Sequence, residues 1–261
     1  MQDRVYFFKK YLQTMSVSLA FWRSCESARY SKETLVAPIL DVGCGDGLFV
    51  KSVFGQKLDA GIDLDAGEIE RAGKSGCYDE VHCTSVTTMP FQDGRFNTVF
   101  SNCVLEHVPP IDDGLREISR VMASGGTFMF TVPSEYYSRS LFGDKVLRFL
   151  GLPGLGQKYV DFVNGTFKHF NINSHEVWES RLQKAGLKME HYEYLISPGA
   201  MQQHERWFLP AIPSKIWKRL FGRWVIFPRF FMIWFAPKWF KKSLESNDDK
   251  GVCYFIVAKK P

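Results

Sequence analysis

Long apolar runs are missing from this chain of 261 residues: no stretch of about 20 consecutive apolar side chains occurs, which argues against a simple membrane-spanning helix. The opening MQDRVYFFKKYLQTMSVSLAFW is interrupted by Lys9, Lys10 and Gln13, so it lacks the unbroken apolar core of a secretory signal. Cysteine is sparse and scattered. Cys25, Cys44, Cys77, Cys83, Cys103 and Cys253 include no C-x-x-C pair and no Cys/His grouping with zinc-ligand spacing, so neither a disulfide framework nor a structural metal is expected. They read as reduced, mostly buried small hydrophobes of a cytosolic protein. A chain of this length can bury a stable core without either staple. Internal repeats and low-complexity tracts are also absent.

Aromatic residues are plentiful, 15% of the chain with 23 phenylalanines, and the formal net charge is +5. Residues 1–37 carry Phe7, Phe8, Tyr11, Leu12 and Met15 at helical spacing, which predicts an amphipathic N-terminal helical region. Beyond Pro38, strands and helices alternate. Strands are predicted at 38–42, 58–63, 80–83, 95–101 and 127–132, and helices at 47–54, 66–74 and 112–122, the last stopped by Ser124–Gly126. Residues 134–172 read as loops and short helices. A helix over 174–185 follows, with Ser174 as N-cap and Gly186 at the C-terminal stop. Strands at 188–196 and 252–258 complete the series. The pattern predicts an α/β fold, a Rossmann-like doubly wound, mostly parallel seven-stranded sheet with helices on both faces.

The first strand runs into Asp41-Val42-Gly43-Cys44-Gly45-Asp46-Gly47, and the second ends in Gly61-Ile62-Asp63-Leu64. Ligands of open α/β sheets bind at the carboxyl ends of the strands. Glycines there let the backbone approach a ligand, and the following helix offers unpaired N–H groups. An acid about twenty residues on can accept both hydroxyls of a ribose. A dinucleotide fingerprint needs G-x-G-x-x-G, but Leu48 stands at the third glycine position. No Gly-Lys-Ser/Thr follows, so a phosphate loop is excluded. D-x-G-x-G-x-G suits a nucleoside without a pyrophosphate that carries an amino-acid tail.

Five blocks in this order resemble the class I S-adenosylmethionine-dependent methyltransferases of the small-molecule and lipid branch. They are LDVGCGDG at 40–47, GIDL at 61–64, MPFQDGRFNTVFSNCVLEHV at 89–108, LREISRVMASGGTFMFTVP at 115–133 and KHFNINSHEVWESRLQKAGL at 168–187. The resemblance covers 36–135 and, more loosely, 165–197 and 251–260. It implies S-adenosylmethionine as cofactor. Asp41, Gly43, Cys44 and Gly45 would line its methionine half, with Ser101 and Asn102 approaching the amine. Asp63 would hold the ribose and Leu64 would pack on the adenine. Ser85 and Val86 fall where the family contacts the adenine edge; the family often has Asp at the position of Ser85, so that contact departs from the pattern. Asn97 also replaces a usual Asp, and a turn role suits it.

Methyl transfer needs alignment and dryness first, and an O- or N-acceptor can also need a base. His107 and His169 are the candidate bases; each could instead simply order its loop. Tyr136 and Tyr137, after the fifth strand, are candidates for the acceptor site. The block at 168–187 also looks like methyltransferases of surface-polysaccharide assembly.

Residues 214–242 form the unusual segment. They carry eight cations, no acid, four tryptophans and six phenylalanines, which leaves the rest of the chain slightly acidic. Three readings are open: a monotopic contact with an anionic membrane surface, an aromatic cap on protein, and stacking on single-stranded nucleic acid. The first is preferred and nucleic acid is the least favoured. Pro228 and Pro237 would break the segment into pieces that lie in one leaflet. The expected organisation is an N-terminal helical lid at 1–37, a cofactor-binding domain at 38–197 and 251–261, and an inserted segment at 198–250. The expected function is methylation of a lipid-linked or amphipathic small-molecule acceptor by an enzyme peripheral to the cytoplasmic membrane face. A soluble small-molecule or saccharide methyltransferase, with the insertion as lid, is one alternative. A non-catalytic cofactor-binding membrane scaffold is the other.

Overall fold

The computed structural model describes residues 3–207, 218, 220, 230–245 and 250–261. Its contacts divide the chain into two units, one of 1–32, 136–166 and 194–252, the other of 33–135, 167–193 and 253–261.

The second unit holds the sheet. Strands β1 (Ile39–Val42), β2 (Leu58–Asp63), β3 (Tyr78–Cys83), β4 (Phe96–Asn102), β5 (Met122–Pro133), β6 (Lys188–Tyr194) and β7 (Cys253–Lys259) lie in the order β3-β2-β1-β4-β5-β7-β6. β1 pairs in parallel with both β2 and β4, through Asp41↔Gly61 and Asp41↔Phe100, whereas β7 runs antiparallel to β5. The expected seven-stranded, mostly parallel sheet is what forms. The chain reverses strand order at β1/β4, which puts the ends of β1 and β4 at the switch point where such sheets bind ligands. Every β1 residue is buried, as expected for a parallel strand covered on both faces.

Helices α3 (Leu48–Val53), α4 (Ala66–Ser75), α5 (Ile111–Val121) and α9 (His175–Lys184) cover the sheet's connections. Leu115, Ile118 and Val121 of α5 are fully buried, and the Trp178 ring of α9 meets Phe130 of β5 edge-on at 5.3 Å. Gly186 is left-handed at φ +77 just beyond α9, the geometry that ends helices. Three strand boundaries differ from the sequence expectation by two residues or more, and one of them is the end of β6, at Tyr194 rather than 196. β3 begins two residues early, at Tyr78. β5 runs through Ser124–Gly126 rather than starting after it: Gly125 takes φ +77, the register with β4 shifts between Phe96 and Thr98, and Gly125 N–H donates to Lys260 O. The glycines are used as a bulge inside the strand instead of a stop before it.

The first unit is helical: α1 (Arg4–Leu12), α2 (Val17–Tyr30), α6 (Tyr136–Arg139), α7 (Phe142–Phe149), α8 (Pro153–Phe167, whose last residue falls in the sheet unit), α10 (Pro198–Arg206) and α11 (Phe230–Glu245). The Asp3 carboxylate caps α1 by accepting from Tyr6 N at 2.7 Å, and Phe7, Phe8, Tyr11 and Leu12 turn one face of α1 inward. Phe240 of α11 fills the space between Phe8 and Phe21, at 5.2 and 5.0 Å. Glu26 is fully buried, and its carboxylate accepts from Trp22 Nε1 at 2.8 Å and from Arg23 at 3.0 Å. The fifteen-residue α8 is longer than the short pieces expected in 134–172. Pro153 opens it, where a missing N–H costs nothing. Its glycines disguise it in sequence but suit close packing: a Cβ on Gly156 would lie 2.5 Å from Asp144 Oδ1 of α7. Residues 136–166 join this unit, whereas the sequence reading places them within 38–197.

Candidate active site

The turn after β1 is built from backbone. Gly43 and Cys44 both donate N–H to Ile62 O, at 2.8 and 2.9 Å, which docks the turn onto β2. Gly43, Gly45 and Gly47 all have positive φ, +81, +52 and +78, which side chains resist. A Cβ on Gly43 would lie 2.2 Å from Val104 Cγ2, whereas one on Gly45 would meet nothing within 4 Å. The turn is thus closed against the protein at Gly43 and open at Gly45.

Two acids fix it. Asp63 accepts from Gly45 N–H through Oδ2 at 3.0 Å and from Asp65 N–H through Oδ1 at 2.9 Å. Each carboxylate oxygen has a second lone pair, so both can still accept from a ribose diol. Leu64, next in sequence, is 73% exposed, an apolar face beside polar groups where a flat base can pack. Asp41 is buried and accepts from the Tyr78 hydroxyl at 2.8 Å. Burial, then the Asp41 charge, pushes the Tyr78 phenol far above its usual range. Cys44 is buried, and its thiol is likewise held well above its ordinary value by burial first and Asp41 second, so it acts as a neutral wall. An open glycine turn, an acid with spare acceptor capacity and an exposed leucine fit the nucleoside-plus-amino-acid ligand that the spacing implies.

The remaining cofactor candidates are engaged with the protein. Ser101 Oγ donates to Val42 O at 2.9 Å, and Thr131 Oγ1 donates to Asn102 Oδ1 at 2.6 Å. Both residues are therefore fixed at the end of β4. Ser85 shares a hydrogen bond with the Thr87 hydroxyl at 2.8 Å and accepts from Thr87 N–H at 3.2 Å. Val86 is buried, and a Cβ on Gly114 would lie 3.2 Å from it. Asn97 Nδ2 donates to Ala37 O at 2.6 Å, a turn-holding role.

Just past β4, Leu105–His107 forms a 3-10 turn, and the loop after α8 comes back to it. Phe170 and Asn171 N–H both donate to Glu106 O, at 2.8 and 3.2 Å, and Asn171 Nδ2 donates to Leu105 O and Val108 O at 3.0 and 2.7 Å. This clamp brings the two histidines together. Their rings stack at 5.4 Å and 26°, and the donor atoms of Glu106, His107 and His169 lie within 4.8 Å of one another. His107 Nδ1 sits 3.2 Å from Lys168 O. A carbonyl only accepts, so Nδ1 carries the proton and Nε2 of the neutral ring keeps its lone pair. That Nε2 lies 3.7 Å from Glu106 Oε1, on a carboxylate only 2% exposed. His169 is pushed down to about 4, by burial first and His107 second. Cys103 and Lys168, flanking the cluster, hold left-handed backbones at φ +52 and +53, strain of the kind that collects at functional sites.

Tyr136 and Tyr137 lie in the helical unit. Tyr136 meets Tyr194 at 6.0 Å and has Lys250 Nζ over its ring at 5.6 Å, and Tyr137 is buried against Trp22 at 6.1 Å. Tyr78, Val104 and Asn171 escaped the sequence reading. Each acts through a partner distant in sequence, and no local pattern marks them. Glu106 was next to His107, and that adjacency was the available signal.

A family model described as a methyltransferase domain matches residues 40–130. The malonyl-[acyl-carrier protein] O-methyltransferase of Legionella pneumophila is 33% identical over 117 residues, 42% of this chain and 40% of that protein. A ubiquinone biosynthesis O-methyltransferase of Chelativorans sp. is 27% identical over 187 residues, 66% of this chain and 69% of that protein. The chain thus spans well under half the length of the Legionella relative. A SAM-dependent methyltransferase structure from Thermotoga maritima superposes with a TM-score of 0.58 at 15% identity, over 99% of this chain and all of that one. Geranyl diphosphate C-methyltransferase of Streptomyces coelicolor gives 0.56 at 18% identity, over 91% of this chain and 77% of that one.

Proposed function

We propose that the chain is a class I S-adenosylmethionine-dependent methyltransferase, a reading supported by the methyltransferase-domain match over 40–130, and that it methylates a lipid-linked or otherwise amphipathic acceptor at a membrane surface. The observation that carries the catalytic half is the nearness in chain and fold of two features: the open turn at Gly45–Asp63, and the Glu106–His107–His169 cluster that follows the adjoining strand. When bound, the cofactor supplies an electrophilic methyl on a sulfonium whose departure leaves a neutral thioether. Asp63 holds the ribose, Leu64 the base, and the Gly43–Gly45 backbone the methionine end. His107 takes the acceptor's proton at Nε2. The Glu106 carboxylate, buried and 3.7 Å away, stabilises the imidazolium that results. His169, with its pKa near 4, stays neutral near pH 7 and adds no opposing charge.

The membrane half rests on composition and on α11. In 230–244 there are three lysines and no acid. Trp234, Phe235 and Trp239 are exposed beside Lys238, Lys241 and Lys242. Lys215, Trp217, Arg219, Arg223, Trp224 and Arg229 of the 214–242 segment lie outside the described residues. No helix among the described residues is long and apolar enough to cross a membrane, so any attachment through them is to a surface. A second reading has support of its own: Ala236, Phe240 and Leu244 are buried, which favours α11 as protein packing in an enzyme acting on a soluble small molecule or saccharide.

The discriminating experiment is untargeted. Full-length protein is incubated with methyl-labelled cofactor and a cell extract, which is then split into lipid and aqueous phases. Label is expected in the lipid phase, and it should be lost with His107→Ala. Label confined to the aqueous phase overturns the amphipathic acceptor in favour of the soluble one. Label in neither phase favours a non-catalytic scaffold.

A further inference from the structure

The α7–α8 hairpin has a surface for which the site already described has no use. Val146, Phe149, Leu150, Leu152, Leu155 and Phe162 are all exposed within seventeen residues, Phe149 by 90% and Phe162 by 68%. Single exposed apolar side chains need no explanation, but a cluster of this density marks a contact surface. Four of the six fall at the tip, Phe149-Leu150-Gly151-Leu152-Pro153-Gly154-Leu155.

Two further observations say what covers it. Most of the tip's backbone N–H groups are bonded from within. Leu150, Gly151 and Leu152 donate N–H to Val146, Arg148 and Leu147 carbonyls at 3.0, 3.0 and 2.9 Å. Leu155 and Gly156 both donate to Leu152 O at 3.1 Å, and Pro153 has no N–H to satisfy. A protein partner does not require such closure, whereas hydrocarbon does, because it offers a backbone N–H nothing to bond. The charge near the tip also leans to one sign. From Lys145 to Phe162 the chain carries Lys145, Arg148 and Lys158 against one exposed acid, Asp161, which lies six residues beyond Leu155 along α8, and the neighbouring Asp144 is buried and paired with Arg148 Nε at 2.8 Å. Cations around an apolar tip match an anionic headgroup layer.

The base of the hairpin is hydrogen-bonded to α10. Glu205 of α10 accepts from Phe142 N–H, from Gly143 N–H at 3.0 Å and from the Tyr159 hydroxyl at 2.5 Å. A Cβ on Gly143 would lie 2.5 Å from the Tyr159 ring, so α7 and α8 meet closely there. We propose that the α7–α8 tip inserts into the interface of an anionic lipid leaflet. The inference rests on the membrane-surface reading above and gives it a second contact, independent of 214–242.

Flotation of the full chain on vesicles of phosphatidylcholine, with and without phosphatidylglycerol, tests it. Wild type should float with the anionic vesicles, and less so as salt rises. Phe149→Glu with Leu150→Glu should lower vesicle affinity by about tenfold or more, and Lys145→Glu with Lys158→Glu should remove the preference for phosphatidylglycerol. Both pairs are exposed, so cofactor affinity and circular dichroism should match wild type, and a variant that departs from it is replaced by Leu152→Glu with Leu155→Glu. If wild type floats and the tip variants float equally, the hairpin assignment falls while the membrane-surface reading stands. If wild type floats on no vesicle, both fall. If sedimentation shows a dimer that the tip variants dissociate, and no flotation, the occupant is a second copy and the proposal is overturned.

Discussion

A methyl group added at Gly43 would meet Val104 Cγ2 at 2.2 Å on a backbone held at φ +81. Two separate costs follow, steric and conformational. Gly43→Ala should destabilise the sheet unit by about 1–3 kcal/mol, read as a lower denaturation midpoint. Adding Val104→Ala should recover the steric part alone; full recovery would mean that the left-handed turn carries no strain. Asp63 plays a different part, as the acceptor for two backbone N–H groups. Asp63→Ala should cut S-adenosylmethionine affinity by at least about tenfold, since hydrogen bonds to a charged partner are worth about 1.5–3 kcal/mol. Unchanged affinity by calorimetry would remove Asp63 from the site. Glu106→Gln keeps shape and removes charge, so it should lower kcat while leaving cofactor affinity unchanged. Of these residues, Gly43, Asp63 and His107 were legible because their types recur at telling spacings. Tyr78 and Asn171 were not, because each is defined by a partner 37 or more positions away.

At the scale of elements, α10 ties three other helices of the helical unit together. Glu205 holds the start of α7 and Tyr159 of α8, and Gln203 donates to Trp239 O of α11 at 2.6 Å. Burial, then Glu205, raises the Tyr159 phenol above its ordinary range, so that hydroxyl stays a donor. Glu205→Ala should therefore speed amide exchange in 142–160 while leaving β1, β4 and β5 protected. Uniform loss across both units would show that the contact is global rather than local. Apart from β5, the strands and α5 were read from sequence to within two residues, because buried parallel strands and one-sided helices leave periodic marks. α8 left none: glycines at 154, 156 and 165 weaken the helical signal, and packing against α7 supplies what propensity withholds. The course of β5 through Ser124–Gly126 was hidden for a related reason, since the same glycines serve a stop or a bulge.

For the whole molecule, two half-buried histidines link folding to acidity. His204 and His169 are each depressed from 6.5 to about 4, burial being the leading cause in both. The unfolded chain therefore takes up protons first. Their contribution is complete above about pH 6.5, is lost as pH falls toward about 4, and changes little below that. His204→Gln should flatten this acid loss when unfolding is followed by urea at several pH values in that window. A variant as acid-sensitive as wild type would mean that other groups govern the limb.

The sequence on its own determined the alternation that makes a parallel sheet, the glycine turn with its following acid, and the skewed charge of 214–242. These are local or periodic properties, written in neighbouring residues. Only the tertiary structure decided that His169 comes to lie on His107, that Tyr78 secures Asp41, and that Phe149 and Leu150 stand exposed rather than buried. Those outcomes depend on which surfaces the folded chain brings together, and contacts between distant segments leave no period in the sequence to read.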